Sequence, residues 1–248
     1  MRWTRNGSTV PLVVLSVFAA AGFTSIEFAQ TVQPAAPLHP AAPAHPLVVI
    51  DAAHGGSDSG ALLNPAIPEK DVTLMFARRL RQELGSRGIS ATVIRDNDST
   101  LTTDQRAALV NAAGPALYLA IHASSSGSGL GIYTSMLPEA GSDRGPFVNW
   151  RSAQAPFLGR SLWIAHQITA AIQKNRFPVR ELPAALRPLN NVTTPALAIE
   201  IAPADGNILQ LASADYQQMV CAAVANALAS VAPAVRSPSF QHGTVPSS

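Results

Sequence analysis

One stretch constrains the chain more than any other, Val48-Val49-Ile50-Asp51-Ala52-Ala53-His54-Gly55-Gly56-Ser57-Asp58-Ser59-Gly60. Three β-branched residues run into a small-residue turn that holds two acids and one histidine. A short apolar run closed by glycines reads as a buried strand followed by a sharp turn. His54 therefore stands just past the C-terminal end of a strand, where open parallel α/β sheets bind ligands.

The rest of the chain repeats this strand-then-helix pattern. Strands are expected at Leu47 to Asp51, Ala91 to Arg95, Leu117 to Ile121, Gly131 to Thr134 and Ala196 to Ile201. Helical periodicity covers Lys70 to Arg87, with Val72, Phe76, Leu80 and Leu84 near one face and Gly88 as the stop. Further helices are expected at Thr102 to Ala113, Leu158 to Lys174 and Ser213 to Val231. Met136 to Phe157 reads as an irregular excursion, and the prolines at 178, 183 and 188 as a loop. Alternating strands and helices predict a single α/β domain, a mostly parallel sheet with helices on both faces.

Outside that domain the composition changes. Residues 1–29 read as a signal peptide, with Arg2 and Arg5 before an apolar run from Val10 to Phe23. That run is shorter than the roughly 20 residues that span a bilayer. A membrane contact would arise only through an uncleaved leader, and the chain is expected to act in the periplasm or outside the cell. Residues 30–46 form a Pro/Ala-rich linker in which Pro34, Pro37, Pro40, Pro43 and Pro46 recur every third position, matching polyproline II. His39 and His45 lie within it and read as solvated. The domain is expected over 47–232 and a disordered tail over 233–248.

Charge excludes one class of partner. Without the leader, 15 basic side chains face 14 acidic ones, and no Lys/Arg cluster marks a nucleic-acid surface. Cys221 is the only cysteine, so no intrachain disulfide can form, and it reads as a small buried hydrophobe.

The candidate chemistry rests on four residues. His54 and His122 each follow a predicted strand of one sheet, and Glu69 opens the helix after the glycine-rich loop. Two histidines and a carboxylate would leave a zinc ion an open position for water. The plainer reading is that the histidines are polar loop residues and that Glu69 favours a helix N-terminus. Glu200 interrupts the apolar run Ala196 to Ile201; a carboxylate there is either paired or chemically active. Arg106 and Asn111 read as structural, and His166 as a solvated or packed helix residue.

Taken together, VIDAAHGG with SDSGA, EKDVTL, IRDND, QRAALVNAA, LAIHAS and PALAIE occur in one order over about three quarters of the chain. In that order they resemble the zinc-dependent N-acetylmuramoyl-L-alanine amidases, cell-wall hydrolases of amidase type 3. The resemblance implies His54, Glu69 and His122 as zinc ligands and Glu200 as the catalytic acid/base. It implies peptidoglycan as substrate, and it allows, without requiring, a protein activator. Ala53, Ser124 and Ile201-Ala202-Pro203 depart from the family pattern, which has glycine, asparagine and a glycine-phenylalanine pair there. Those departures motivate an alternative, a non-catalytic peptidoglycan-binding protein on a degenerate amidase scaffold. A zinc hydrolase acting on another amide is a third reading.

Overall fold

The run after Leu47 becomes strand β1 (Val48–Ala52), every residue of it buried. In the computed structural model, which describes residues 47–137 and 152–237, a short hairpin follows, β2 (Leu62–Asn64) and β3 (Ile67–Pro68). Then come α1 (Glu69–Ser86), β4 (Ala91–Val93), α2 (Thr103–Ala113), β5 (Leu117–Ala123) and β6 (Gly129–Ser135). The described chain resumes with α3 (Leu158–Lys174), β7 (Val179–Ala184), β8 (Ala196–Ala202) and α4 (Ala214–Arg236). The expected leader, linker and most of the excursion and tail lie outside the described residues.

Six strands form one sheet in the order β4-β1-β5-β8-β6-β7. All neighbours are parallel except β6 and β8. From β1 the chain crosses through α1 to β4 on one side, then through α2 to β5 on the other. The β1/β5 boundary is thus a topological switch point, where the helices leave opposite faces and a crevice opens at the C-terminal strand ends.

The two faces are unequal. Val48, Ile50 and Ala52 of β1, with Leu119, Ile121, Leu197 and Ile199, join a large core under α1, α3 and α4. The alternate residues Val49, Tyr118, Ala120, Ala196 and Ala198 face a smaller core with Ala107 and Val110 of α2 and with Leu189 and Val192. Strand parity places Asp51, His122 and Glu200 on this thinner side, since successive side chains point to opposite faces. Helices on both faces, expected from the alternation of elements, are present.

Local chemistry explains the helix ends. Thr102 caps α2 by accepting from the Gln105 main-chain N–H while the Gln105 side chain accepts from the Thr102 N–H, a capping box. Gly114 ends the helix in the left-handed region (φ 54°).

Several expectations need correction. β5 runs two residues beyond Ile121, so His122 is the penultimate residue of a strand, not a residue following it. The proline-bearing stretch after Phe177 contains β7, an edge strand that includes Pro183 and pairs with β6. Proline is tolerated there because one side of an edge strand needs no ladder donor. α4 continues past Val231 to Arg236 with Pro233 inside its last turns. Apolar packing carries the helix onward, since Val231, Ala232 and Val235 are buried.

The core predicts a contrast within α1. Phe76 is fully buried, so Phe76→Ala should cost about 3–5 kcal/mol. Gly85 is exposed and a Cβ built on it meets nothing within 4 Å; Gly85→Ala should add about 0.4–1 kcal/mol. Urea denaturation of the two variants should move the midpoint in opposite directions.

Candidate active site

His54 adopts a left-handed backbone, φ 64°, which is uncommon for a residue with a Cβ and has to be held by its surroundings. Several contacts hold it. Arg106 Nη2 donates to the His54 carbonyl at 2.5 Å. Gly55 and Asp58 exchange two main-chain hydrogen bonds of 2.8 and 3.2 Å. Lys70 Nζ, at the start of α1, donates to the Gly56 carbonyl and to Asp98, both at 2.8 Å. Gly60 (φ 65°) passes so close that a Cβ there would lie 2.6 Å from the His54 ring and 2.9 Å from Glu69 Cβ.

Beneath the turn, two buried arginines collect main-chain carbonyls. Arg95 donates to the carbonyls of Ala52, Ala53, Lys70 and Asn97 and to Thr73 Oγ1. Arg106 donates to the Ala52 carbonyl and pairs with Asp51, which also accepts the Tyr118 hydroxyl at 2.7 Å. Burial pushes the Asp51 carboxyl up from its ordinary range, while Arg106 and Tyr118 pull it back. Asn111 is structural too, bonded to Asn191 and Thr193.

Glu69 is the buried first residue of α1. Its carboxylate accepts the main-chain N–H of Ala61 (3.1 Å) and of Ala123 (3.2 Å). Its two oxygens stand 3.1 Å from His54 Nε2 and 3.1 Å from His122 Nδ1. Burial acts to raise its pKa, but hydrogen bonds from His122, His54 and Ala61 outweigh that and hold it well below the usual carboxylate range. Asp58 accepts from His54 Nδ1 at 2.9 Å, which leaves Nε2 facing Glu69. The imidazoles lie edge to face, with centroids 5.6 Å apart.

Ligand atoms drawn one from each of His54, Glu69 and His122 lie within 4.8 Å of one another. Neighbouring ligands of a tetrahedral zinc stand roughly 3.3 Å apart for bonds of about 2.0–2.1 Å. Two imidazole nitrogens and one carboxylate at these separations fit such an ion. Were such an ion bound, the Asp58 contact to the far nitrogen of His54 would serve as the outer-sphere bond that orients a ligating imidazole.

Glu200 lies directly across from His122 in the parallel β5–β8 register and on the same face. Its side chain is 30% exposed, so it is not the fully buried acid that its apolar neighbours suggested. Tyr133 donates its hydroxyl to Glu200 Oε1 at 3.2 Å, and Arg180 Nη2 reaches the same oxygen at 3.4 Å. Gly131 is opposite Glu200 on β6, and the Tyr133 ring occupies the space where its Cβ would be, at 2.7 Å.

The structure therefore gathers His54, Glu69 and His122 into one cluster and sets Glu200 beside His122 in the sheet register. Tyr133, Arg180 and the Asp58 contact to His54 carry no signal in the sequence, because each depends on a contact between distant strands or on a turn geometry. His166 stands apart, exposed and 3.6 Å from Glu181. Cys221 is buried, and burial pushes its thiol up to about 12.

The sequence profile of N-acetylmuramoyl-L-alanine amidase matches residues 48–230. This chain belongs to that amidase family. Among relatives, it is 37% identical over 89 residues to an endolysin of Bacillus phage SPP1, a match covering 36% of this chain and 32% of that protein. It is 35% identical over 77 residues to the N-acetylmuramoyl-L-alanine amidase AmiA of Escherichia coli (strain K12), covering 31% of this chain and 27% of AmiA. The chain thus matches about a third or less of the length of these relatives. The solved structure of the amidase Ami1 from Mycobacterium smegmatis superposes with a TM-score of 0.58 at 20% identity, over 77% of this chain and 98% of Ami1. That likeness is one of fold, a single α/β amidase domain.

The departures from the amidase pattern replace none of the four residues. Ala53 is buried and its carbonyl serves Arg95 and Thr73. Ser124 turns its hydroxyl to Ser126.

Two outcomes test this geometry. Asp58→Ala should weaken zinc affinity about 10–100-fold, read by competition with a chromophoric chelator. Gly60→Ala should do at least as much harm, because the new methyl must push either His54 or Glu69 aside; unaltered zinc affinity would show that the turn can relax.

Proposed function

We propose that this amidase hydrolyses the amide bond between N-acetylmuramic acid and L-alanine in peptidoglycan, using zinc held by His54, Glu69 and His122. The observation that carries the reading is the position of Glu200, beside His122 on the same face and next to a two-histidine, one-carboxylate cluster. Its likeness to AmiA, an N-acetylmuramoyl-L-alanine amidase of Escherichia coli, supports it.

Zinc, when bound, supplies Lewis-acid polarisation of the amide carbonyl and lowers the pKa of water at the site. The chain's residues do the rest. Asp58 holds the His54 ring by its Nδ1–H, and the N–H groups of Ala61 and Ala123 hold the Glu69 carboxylate. Glu200 takes a proton from the attacking water and returns one to the departing nitrogen of L-alanine. The carbonyl carbon gains the water oxygen, the C–N bond breaks, and the products are a lactyl carboxylate and a free amino terminus. Tyr133 and Arg180 both engage Oε1 of Glu200. Oε2, without a hydrogen-bond partner among the described residues, is left to meet the water.

We further infer that the protein works outside the cytoplasm, on the composition of residues 1–29; amino-terminal sequencing of the exported protein would locate the cut. A protein activator is not required by this scheme.

Glu200→Gln should retain zinc and lose about 10²–10⁴ in turnover, whereas His54→Ala should lose the metal. Purified peptidoglycan incubated with the zinc-loaded protein should release stem peptides with free amino-terminal L-alanine, detected by mass spectrometry and abolished by a chelator. Cell-wall binding by folded, zinc-loaded protein without any release would decide for the binding-only alternative.

A further inference from the structure

Beside the cluster, on the α2 side of the sheet, lies a cavity of about 300 Å³. That volume is at the small end of the range for ligand pockets. His54 and His122 form part of its wall, so it is continuous with the cluster. Thr100 to Thr103 line another part, and Arg187 and Pro188 also belong to the wall.

The charges in this cavity do not cancel evenly. Both acids in its wall are already engaged, Asp51 by Arg106 and Tyr118 and Asp58 by His54. Arg106 is likewise consumed by Asp51 and by three main-chain carbonyls. Arg187 differs. It is exposed, and among the described residues no carboxylate or carbonyl accepts from its guanidinium. Around the other surface arginines near α1 the pattern is the reverse, since Arg78, Arg81 and Arg87 all pair with acids. The same cavity wall includes the exposed Thr103 and the start of α2, where the helix dipole favours negative charge. Asp104, the one acid in that first turn, is exposed and does not line the cavity.

We propose that this cavity is a carboxylate subsite and that Arg187 selects substrates by the acidic residue that follows L-alanine in the stem peptide. The inference rests on the amidase reading above. A planar guanidinium with unused donors matches a carboxylate in a two-point contact, and a cavity sharing His54 and His122 lies within a residue or two of the scissile amide, at about 3.3–3.6 Å of chain per residue. The group recognised is the free α-carboxylate of γ-linked D-glutamate. Converting it to a primary amide removes the charge and keeps the shape, so a site that reads charge distinguishes the two.

The test uses the full chain loaded with zinc and two matched compounds, N-acetylmuramoyl-L-alanyl-D-isoglutamine and its free-acid counterpart, with the corresponding dipeptides for calorimetric binding. The protein should favour the acid at least tenfold in kcat/KM and in dipeptide affinity. Arg187→Gln should erase that ratio through a loss on the acid, with zinc content unaltered, and Arg187→Lys should restore part of it. Equal handling of both compounds by the unaltered protein, or a ratio indifferent to Arg187→Gln, overturns the subsite. If neither compound is hydrolysed while the acid dipeptide still binds in an Arg187-dependent way, the subsite stands and the amidase reading falls.

Discussion

Two buried guanidiniums hold the turn on which the whole site depends. A parallel strand that ends in a sharp loop leaves carbonyls pointing at neither sheet nor water, and buried carbonyls need donors. Arg95 and Arg106 supply them for Ala52, Ala53 and His54. Burying two cations next to each other is costly, and the desolvation depresses the Arg95 pKa. The Asp51 carboxylate offsets part of that charge, and breaking such a buried pair costs about 3–5 kcal/mol. The left-handed backbone at His54 therefore persists because a hydrogen-bond network built from β1, the segment after β4, β5 and α2 leaves it no other course.

The second constraint is register. His122 and Glu200 are neighbours because β5 and β8 pair in parallel without a shift. A slip of one residue would send Glu200 into the large core beneath α1 and α4, where a carboxylate has no partner. On its other side, Glu200 faces Gly131, and the missing side chain there lets the Tyr133 ring lie flat enough to reach the carboxylate. A sheet that is parallel at its centre and antiparallel at one pair places Asp51, His122 and Glu200 on one face.

Much of this arrangement was legible. The β-branched run before Asp51, the glycines that follow it and the 3.6-residue period of Val72, Phe76, Leu80 and Leu84 act over a few residues, so the elements they specify match the structure closely. Legibility failed where the deciding contact was remote. β7 was hidden because its residues follow no alternation and include Pro183; only pairing with β6 makes them a strand. α4 outran its predicted end because Val235 finds a buried place, which local propensity around Pro233 cannot express. His122 falls just beyond the strand end that the sequence suggests at Ile121, because nothing local says where a strand stops when its neighbour continues.

The sequence by itself determined the alternation of strands and helices, the glycine-bearing turn after β1, and the residue types that can hold a metal ion. Short-range sterics and hydrophobic period suffice for those. The tertiary structure alone decided that Glu69 lies 3.1 Å from both imidazoles, that Tyr133 and Arg180 share one oxygen of Glu200, and that Arg187 overlooks a cavity walled by His54 and His122. Each of these joins residues more than ten positions apart, and such contacts exist only once crossover direction and strand order have closed the sheet.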